Sequence, residues 1–198
     1  METEKKITVV GVLSEGITIG IKNAASLLVA SLLWILTIWI PYLNVGTTIA
    51  MSTIPIELSK GRIVSPTFIF DAKYRHYMGE YFTLKGLMWM SIIPASLFLI
   101  IPGIIISLGW SLSLFILLDK GISPGESMIR SNHATKGYKW TIFGTGFLLT
   151  FITLIILMIF VSIIPNFSVN FILSLILIIA YIVIKLGCNA VIYKNLVD

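Results

Sequence analysis

Three long stretches of this chain, 23–56, 86–118 and 140–184, contain no Asp, Glu, Lys or Arg, and the charges fall in shorter segments between and around them. A membrane-spanning helix needs about 20 apolar residues at about 1.5 Å of rise each, so every stretch is too long for one pass and suits two. Each contains a proline where the chain would turn back, at Pro41, Pro102 and Pro165. Proline lacks a backbone donor and disfavours helix in the residue before it. The pattern predicts an all-α, polytopic membrane protein in one domain over 1–198. Its six transmembrane helices, at 24–40, 43–59, 86–101, 104–119, 139–164 and 168–191, pair as three hairpins over 23–59, 86–119 and 139–191. Barrel strands would alternate apolar and polar residues, whereas 147–164 is almost continuously apolar. About 17 residues per pass reach only about 25 Å, short of a hydrocarbon core of about 30 Å. The first two hairpins therefore call for snorkelling of the flanking lysines, a thinned bilayer or re-entry as wedges.

Between the hairpins lie amphipathic segments, expected at 5–22, 65–82 and 123–137. In the first, Ile7, Val10, Leu13, Ile17 and Ile21 share a helical face opposite Thr8, Glu15 and Lys22, as in a helix lying along a membrane surface. The second opens on Ser65-Pro66 and carries Phe70, Tyr74, Tyr77 and Tyr81 at helical spacing. The third opens on Ser123-Pro124 with Glu126 completing an S-x-x-E capping box. The spacing from Ser65 to Ser123, stepped back once more, reaches Ile7, so the chain reads as three units of amphipathic segment plus hairpin.

Composition places the chain in a bilayer: of 198 residues 57% are apolar and only 12% charged, and the mean hydropathy is +0.99. Fourteen Lys and Arg against nine Asp and Glu give a net charge of +5, too modest to imply nucleic acid. Every basic residue lies outside the three uncharged stretches. With an even number of passes these basic segments share one side, which the positive-inside rule makes cytoplasmic. The expectation is a multi-pass inner or plasma membrane protein with both termini in the cytoplasm and Lys5 and Lys6 on a retained N-terminal segment.

From Pro102 onward the chain carries a proline-glycine turn (Pro102, Gly103), a tryptophan-bearing helix (Trp110), then a polar helix with Ser131 closing at Lys136-Gly137 before a span flanked by Trp140 and Phe143. In these features it resembles a family of uncharacterised prokaryotic polytopic membrane proteins, related to the membrane domain that accompanies some glycerophosphodiester phosphodiesterases. The resemblance implies a six-helix fold and no assigned activity. The soluble phosphodiesterase domain is missing here, so no hydrolase function carries over.

The search for chemistry excludes more than it finds. There is no G-x-S-x-G elbow, no H-E-x-x-H and no glycine-rich phosphate loop, so neither catalysis nor a cofactor is expected. His76 and Glu80 stand four apart, but two ligands are too few for a metal site. Glu57 and Lys185 are expected near the cytoplasmic ends of their helices, and Cys188 has no intrachain partner. Basic clusters beside membranes attract anionic lipids. Arg75, Arg130, Lys136, Lys139 and the interfacial Trp140 are thus the candidates for binding lipid headgroups or a partner protein. Hydroxyls at Thr47, Thr48, Ser52, Ser107 and Ser111 are candidates for a polar path between helices kinked by Pro55 and Pro94. The leading expectation is a non-catalytic protein acting on membrane lipids, or on a protein partner or second copy, from the cytoplasmic face. A channel or facilitator and a membrane-shaping hairpin protein are the alternatives. Gly16 and Gly20 form G-x-x-x-G, which helix packing within one subunit explains as well as oligomerisation does.

Overall fold

The computed structural model describes residues 7–197, and the expectations for Lys5 and Lys6 lie outside them. Among the described residues the chain is helical with no strand: α1 (Val9–Lys22), α2 (Ala24–Thr37), α3 (Pro41–Ser59), two short 3-10 turns (Pro66–Phe70, Ala72–Tyr77), α4 (Met78–Phe98), α5 (Ile100–Gly109), α6 (Ser113–Lys120), α7 (Pro124–Ala134), α8 (Lys139–Ile163) and α9 (Phe167–Leu196). By length and composition three elements could cross a membrane: Ile100–Lys120, α8 and α9. A fourth is added if α1 and α2, bent by 79° at Asn23, count as one broken span.

The caps follow local chemistry. Thr8 Oγ1 accepts from Gly11 N–H at 3.1 Å and starts α1. Ser123 Oγ accepts from Glu126 N–H at 3.3 Å and starts α7, with Pro124 in the first turn. Only half of the expected capping box forms, because the Glu126 carboxylate turns to Arg130 at 2.6 Å instead of reaching back. The single amphipathic helix expected over 65–82 is also different. Asp71 is extended and takes the Lys73 N–H at 3.0 Å, an Asx turn that splits the segment into two 3-10 turns before α4 begins.

Helix α3 is the centre of the molecule: Gly46, Thr47, Ile49, Ala50 and the run Thr53–Ile56 are buried among α2, α6, α9 and the 3-10 turns. Helix α1 does not lie on a surface by its apolar stripe. Val12, Gly16 and Gly20 pack antiparallel along the C-terminal half of α9, while Val10 and Ile21 stay 74% and 66% exposed. The seam is close enough to need glycine. A Cβ on Gly16 would sit 2.6 Å from Cys188 Sγ and 2.8 Å from Cys188 N, and one on Gly187 would strike the Gly16 carbonyl. This G-x-x-x-G therefore serves packing within the chain.

Beyond this body α8 and α9 project as a two-helix hairpin. In α8 only Thr145 is buried, and in α9 the buried residues begin at Val183. Their outer faces, from Phe147 through Met158 to Phe171 and Ile176, are exposed and apolar over an extent that water would not tolerate. At about 37 and 45 Å of helix, both exceed a hydrocarbon core of about 30 Å. Among the described residues the chain is all-helical, with three or four elements long and apolar enough to cross a membrane.

Candidate functional site

The corner where α5, α7 and α8 meet begins with a break. The expected fourth span is interrupted at Trp110–Leu112, and two buried hydroxyls of α7 take up the loosened backbone. Ser131 Oγ donates to the Gly109 carbonyl at 2.7 Å and accepts from Leu112 N–H at 3.2 Å, and Thr135 Oγ1 donates to the same carbonyl at 3.2 Å. Backbone groups that a helix break frees away from water must be satisfied within the protein, and α7 does this here. A Cβ on Gly109 would lie 2.7 Å from Asn132 Oδ1 and 3.2 Å from Lys139 Nζ, so these two side-chain ends would have to shift.

From this point the chain turns at Gly137, whose φ of 86° suits a residue without a Cβ, into α8. Lys139 Nζ donates to Asn132 Oδ1 at 3.1 Å, which fixes the cation at the corner. Trp140 stands 80% exposed, edge-on to Phe143. Below them a cavity of about 570 Å³ runs between Ile101, Ile104, Ile105 and Leu108 of α5 and Phe143 of α8, with Lys139 and Trp140 at its mouth. An apolar slot under a fixed cation and an amphipathic ring has the chemistry of an acyl chain with an anionic head.

The sequence candidates divide. Lys139 and Trp140 belong to this mouth, and Lys136 is exposed on the turn just before them. Arg130, on α7, is ion-paired with Glu126. Arg75 belongs elsewhere: its Cγ lies 2.7 Å from where a Cβ on Gly46 of α3 would be. The hydroxyl candidates divide as well. Thr37 and Thr47 hydrogen-bond at 2.8 Å, Trp34 Nε1 donates to Thr48 Oγ1 at 2.9 Å, and Ser52 donates to the Thr48 carbonyl. Thr48 and Ser52 line a cavity of about 380 Å³ against Leu186 and Asn189 of α9. Ser107 and Ser111 bond the carbonyls of Ile104 and Leu108 in their own turns, and neither lines that cavity.

Two features escaped sequence reasoning. Asp119, its side chain only 7% exposed, pairs with Lys60 and with Lys120 at 3.3 Å and accepts from Tyr193 O–H at 2.8 Å. It ties together the C-terminal ends of α3, α6 and α9. Its signal was faint: it is the acid that ends the second uncharged stretch. The second is the setting of Lys185, which lines a cavity between α8 and α9. Outside the spans, the Lys73 backbone N–H and side chain hold the Asp71 carboxyl below its usual range. His76 rests edge-on to Tyr77.

No protein-family model, no curated protein and no solved structure matches this chain.

Proposed function

We propose that the chain is a non-catalytic, multi-pass protein of the inner or plasma membrane that binds anionic phospholipid at its cytoplasmic face through the α5–α7–α8 corner. The observation that carries the proposal is Lys139, held by Asn132 beside Trp140 over the apolar slot. Lys136 adds a second exposed cation. Of the residues behind the family resemblance, Ser131, Gly137, Trp140 and Phe143 lie at this corner, whereas Gly103 packs on Ser96 of α4. That relationship belongs to the same proposal.

In this reading α5–α6, α8 and α9 cross the bilayer, with α4, a less apolar helix of the same 21 residues in length as Ile100–Lys120, as the fourth crossing beside α5, and the lysine-bearing ends joined at Asp119 face the cytoplasm. The α2–α3 hairpin takes the wedge alternative. Since α1 runs along α9 and α2 leaves α1 at 79°, the hairpin lies across the spanning direction, within the inner leaflet at the level of Val183–Ala190 of α9. Arg75 packed beside Gly46, close to the hairpin tip, supports this, because a charge there is cheap at an interface and costly in the hydrocarbon. Four crossings keep both termini on one side. The channel alternative is the weaker, as Ser107 and Ser111 do not line the cavity that Thr48 and Ser52 share.

The test is lipid retention in native mass spectrometry of protein purified from mixed phosphatidylglycerol and phosphatidylcholine membranes. Wild type retains phosphatidylglycerol preferentially. Replacing Lys136 and Lys139 with Gln removes about 1 kcal/mol per cation, a several-fold loss each. Equal retention of the two lipids by wild type, or no change in the double variant, contradicts the proposal.

A further inference from the structure

Lys185 stands within a membrane-crossing helix and does not escape to its end. A lysine near a helix terminus extends toward water and leaves its ammonium at the interface. Here the ammonium lies 5.5 Å from the centroid of the Tyr181 ring, one turn further from the C-terminal end of α9. Side chains on helices lean toward the N-terminus, and in α9 that direction points to the far tip of the hairpin. The Tyr181 hydroxyl is 3.2 Å from Thr150 Oγ1, and Thr150 is eleven residues into α8 beyond Lys139. At about 1.5 Å per residue this places Tyr181 about 16 Å below the Lys139–Trp140 level, with the Lys185 ammonium only a few ångströms nearer to it.

The cavity around this ammonium holds about 420 Å³ and is lined by Thr145, Phe147, Thr150, Tyr181 and Asn189 together with Lys185. Among the described residues its lining contains no Asp or Glu. A charge at such depth costs several kcal/mol unless it is partnered, and it is kept only where it is used. An ammonium, a phenol, an amide and a hydroxyl meet in an apolar cleft that opens on the faces of α8 and α9.

We infer that this cleft binds the carboxylate of a single-chain fatty acid, with Lys185 as its counter-ion and the chain lying along α8 past Phe147. Depth selects a carboxylate over a phosphodiester. A carboxylic acid can enter the hydrocarbon as the neutral acid and release its proton to water as its carboxylate pairs with the Lys185 ammonium, whereas a phosphodiester stays ionised and stays at the interface. The site does not rest on the Lys139 groove, with which it shares only the walls at Leu108 and Phe143.

The experiment is equilibrium binding of radiolabelled palmitate to the full chain in a neutral detergent. Wild type binds one palmitate saturably, and unlabelled palmityl alcohol of the same chain length competes at least about tenfold less well, because charge-assisted bonding is lost. Lys185→Met weakens binding by about tenfold or more, Lys185→Arg largely restores it, and Lys139→Gln leaves it unchanged. Absence of saturable binding to wild type overturns the inference, as do equal competition by acid and alcohol, stronger competition by phosphatidylglycerol than by palmitate, or unaltered binding in Lys185→Met. Should Lys185→Met fail to fold, the acid-versus-alcohol comparison on wild type and the Lys185→Arg variant decide alone.

Discussion

Ser131 makes two bonds that hold a helix break together, and it sits on a helix whose sequence reads as a solvated connector. Removing a buried partner leaves a carbonyl and an N–H unsatisfied in low dielectric, which costs about 1–3 kcal/mol. Ser131→Ala is therefore expected to lower the unfolding midpoint clearly in a detergent thermal-shift assay, whereas Ser107→Ala, whose hydroxyl bonds only its own turn, leaves it nearly unchanged. At this scale the sequence showed which residues could serve but not which neighbours they meet. Lys139 and Trp140 were legible because cation and aromatic stand together at the start of a span. Asp119 was not, since its three partners come from segments far apart in the chain. Lys185 was placed on the right helix, yet its direction of lean decides its role, and that is not written in spacing.

Helix positions were largely legible, because prolines and charge-free stretches act locally. The ends at 59, 139 and 163 fall within a residue or so of expectation, whereas α4 begins eight residues before the expected 86 and turns at Leu99, with Pro102 inside the first turn of α5. At α1 the apolar stripe reads as a face lying along a membrane surface, and periodicity gave no sign that the glycine face packs on α9. In water the apolar stripe turns inward, whereas in a bilayer lipid is as apolar as leucine, so the small-residue face does the packing. Helix α1 obeys the second rule: Val10 and Ile21 are outside and Gly16 and Gly20 inside. The α5–α6 break was hidden for another reason, as nothing between Trp110 and Leu112 is a helix breaker and the interruption depends on α7. At the α1–α9 seam, Gly187→Ala pushes a methyl onto the Gly16 carbonyl and costs about 1–3 kcal/mol as overpacking. Gly86→Ala has open space around it and leaves stability equal or raised by up to about 1 kcal/mol. The pair compared by thermal unfolding checks the seam, and equal midpoints would mean that α1 does not pack there.

For the whole molecule, charge segregation predicts that the loops bearing Lys and Arg share one face, and the convergence of Lys60 and Lys120 on Asp119 fits that arrangement. In the proposed reading, counting apolar residues overstates the crossings, because a hairpin lying in the membrane plane is as oily as one that passes through. The distinction comes from the 79° turn between α1 and α2, a tertiary fact. The account as a whole stands on a membrane protein with one charged face and a shallow first hairpin. Single cysteines at Asn44, Ser123 and Asn166, introduced after Cys188→Ala, test it with a membrane-impermeant thiol reagent on intact cells. The expected result is labelling of the Asn166 position from outside, and of the Asn44 and Ser123 positions only after the membrane is opened. Labelling of the Ser123 position from outside, or of the Asn44 position together with the Asn166 position, would contradict it.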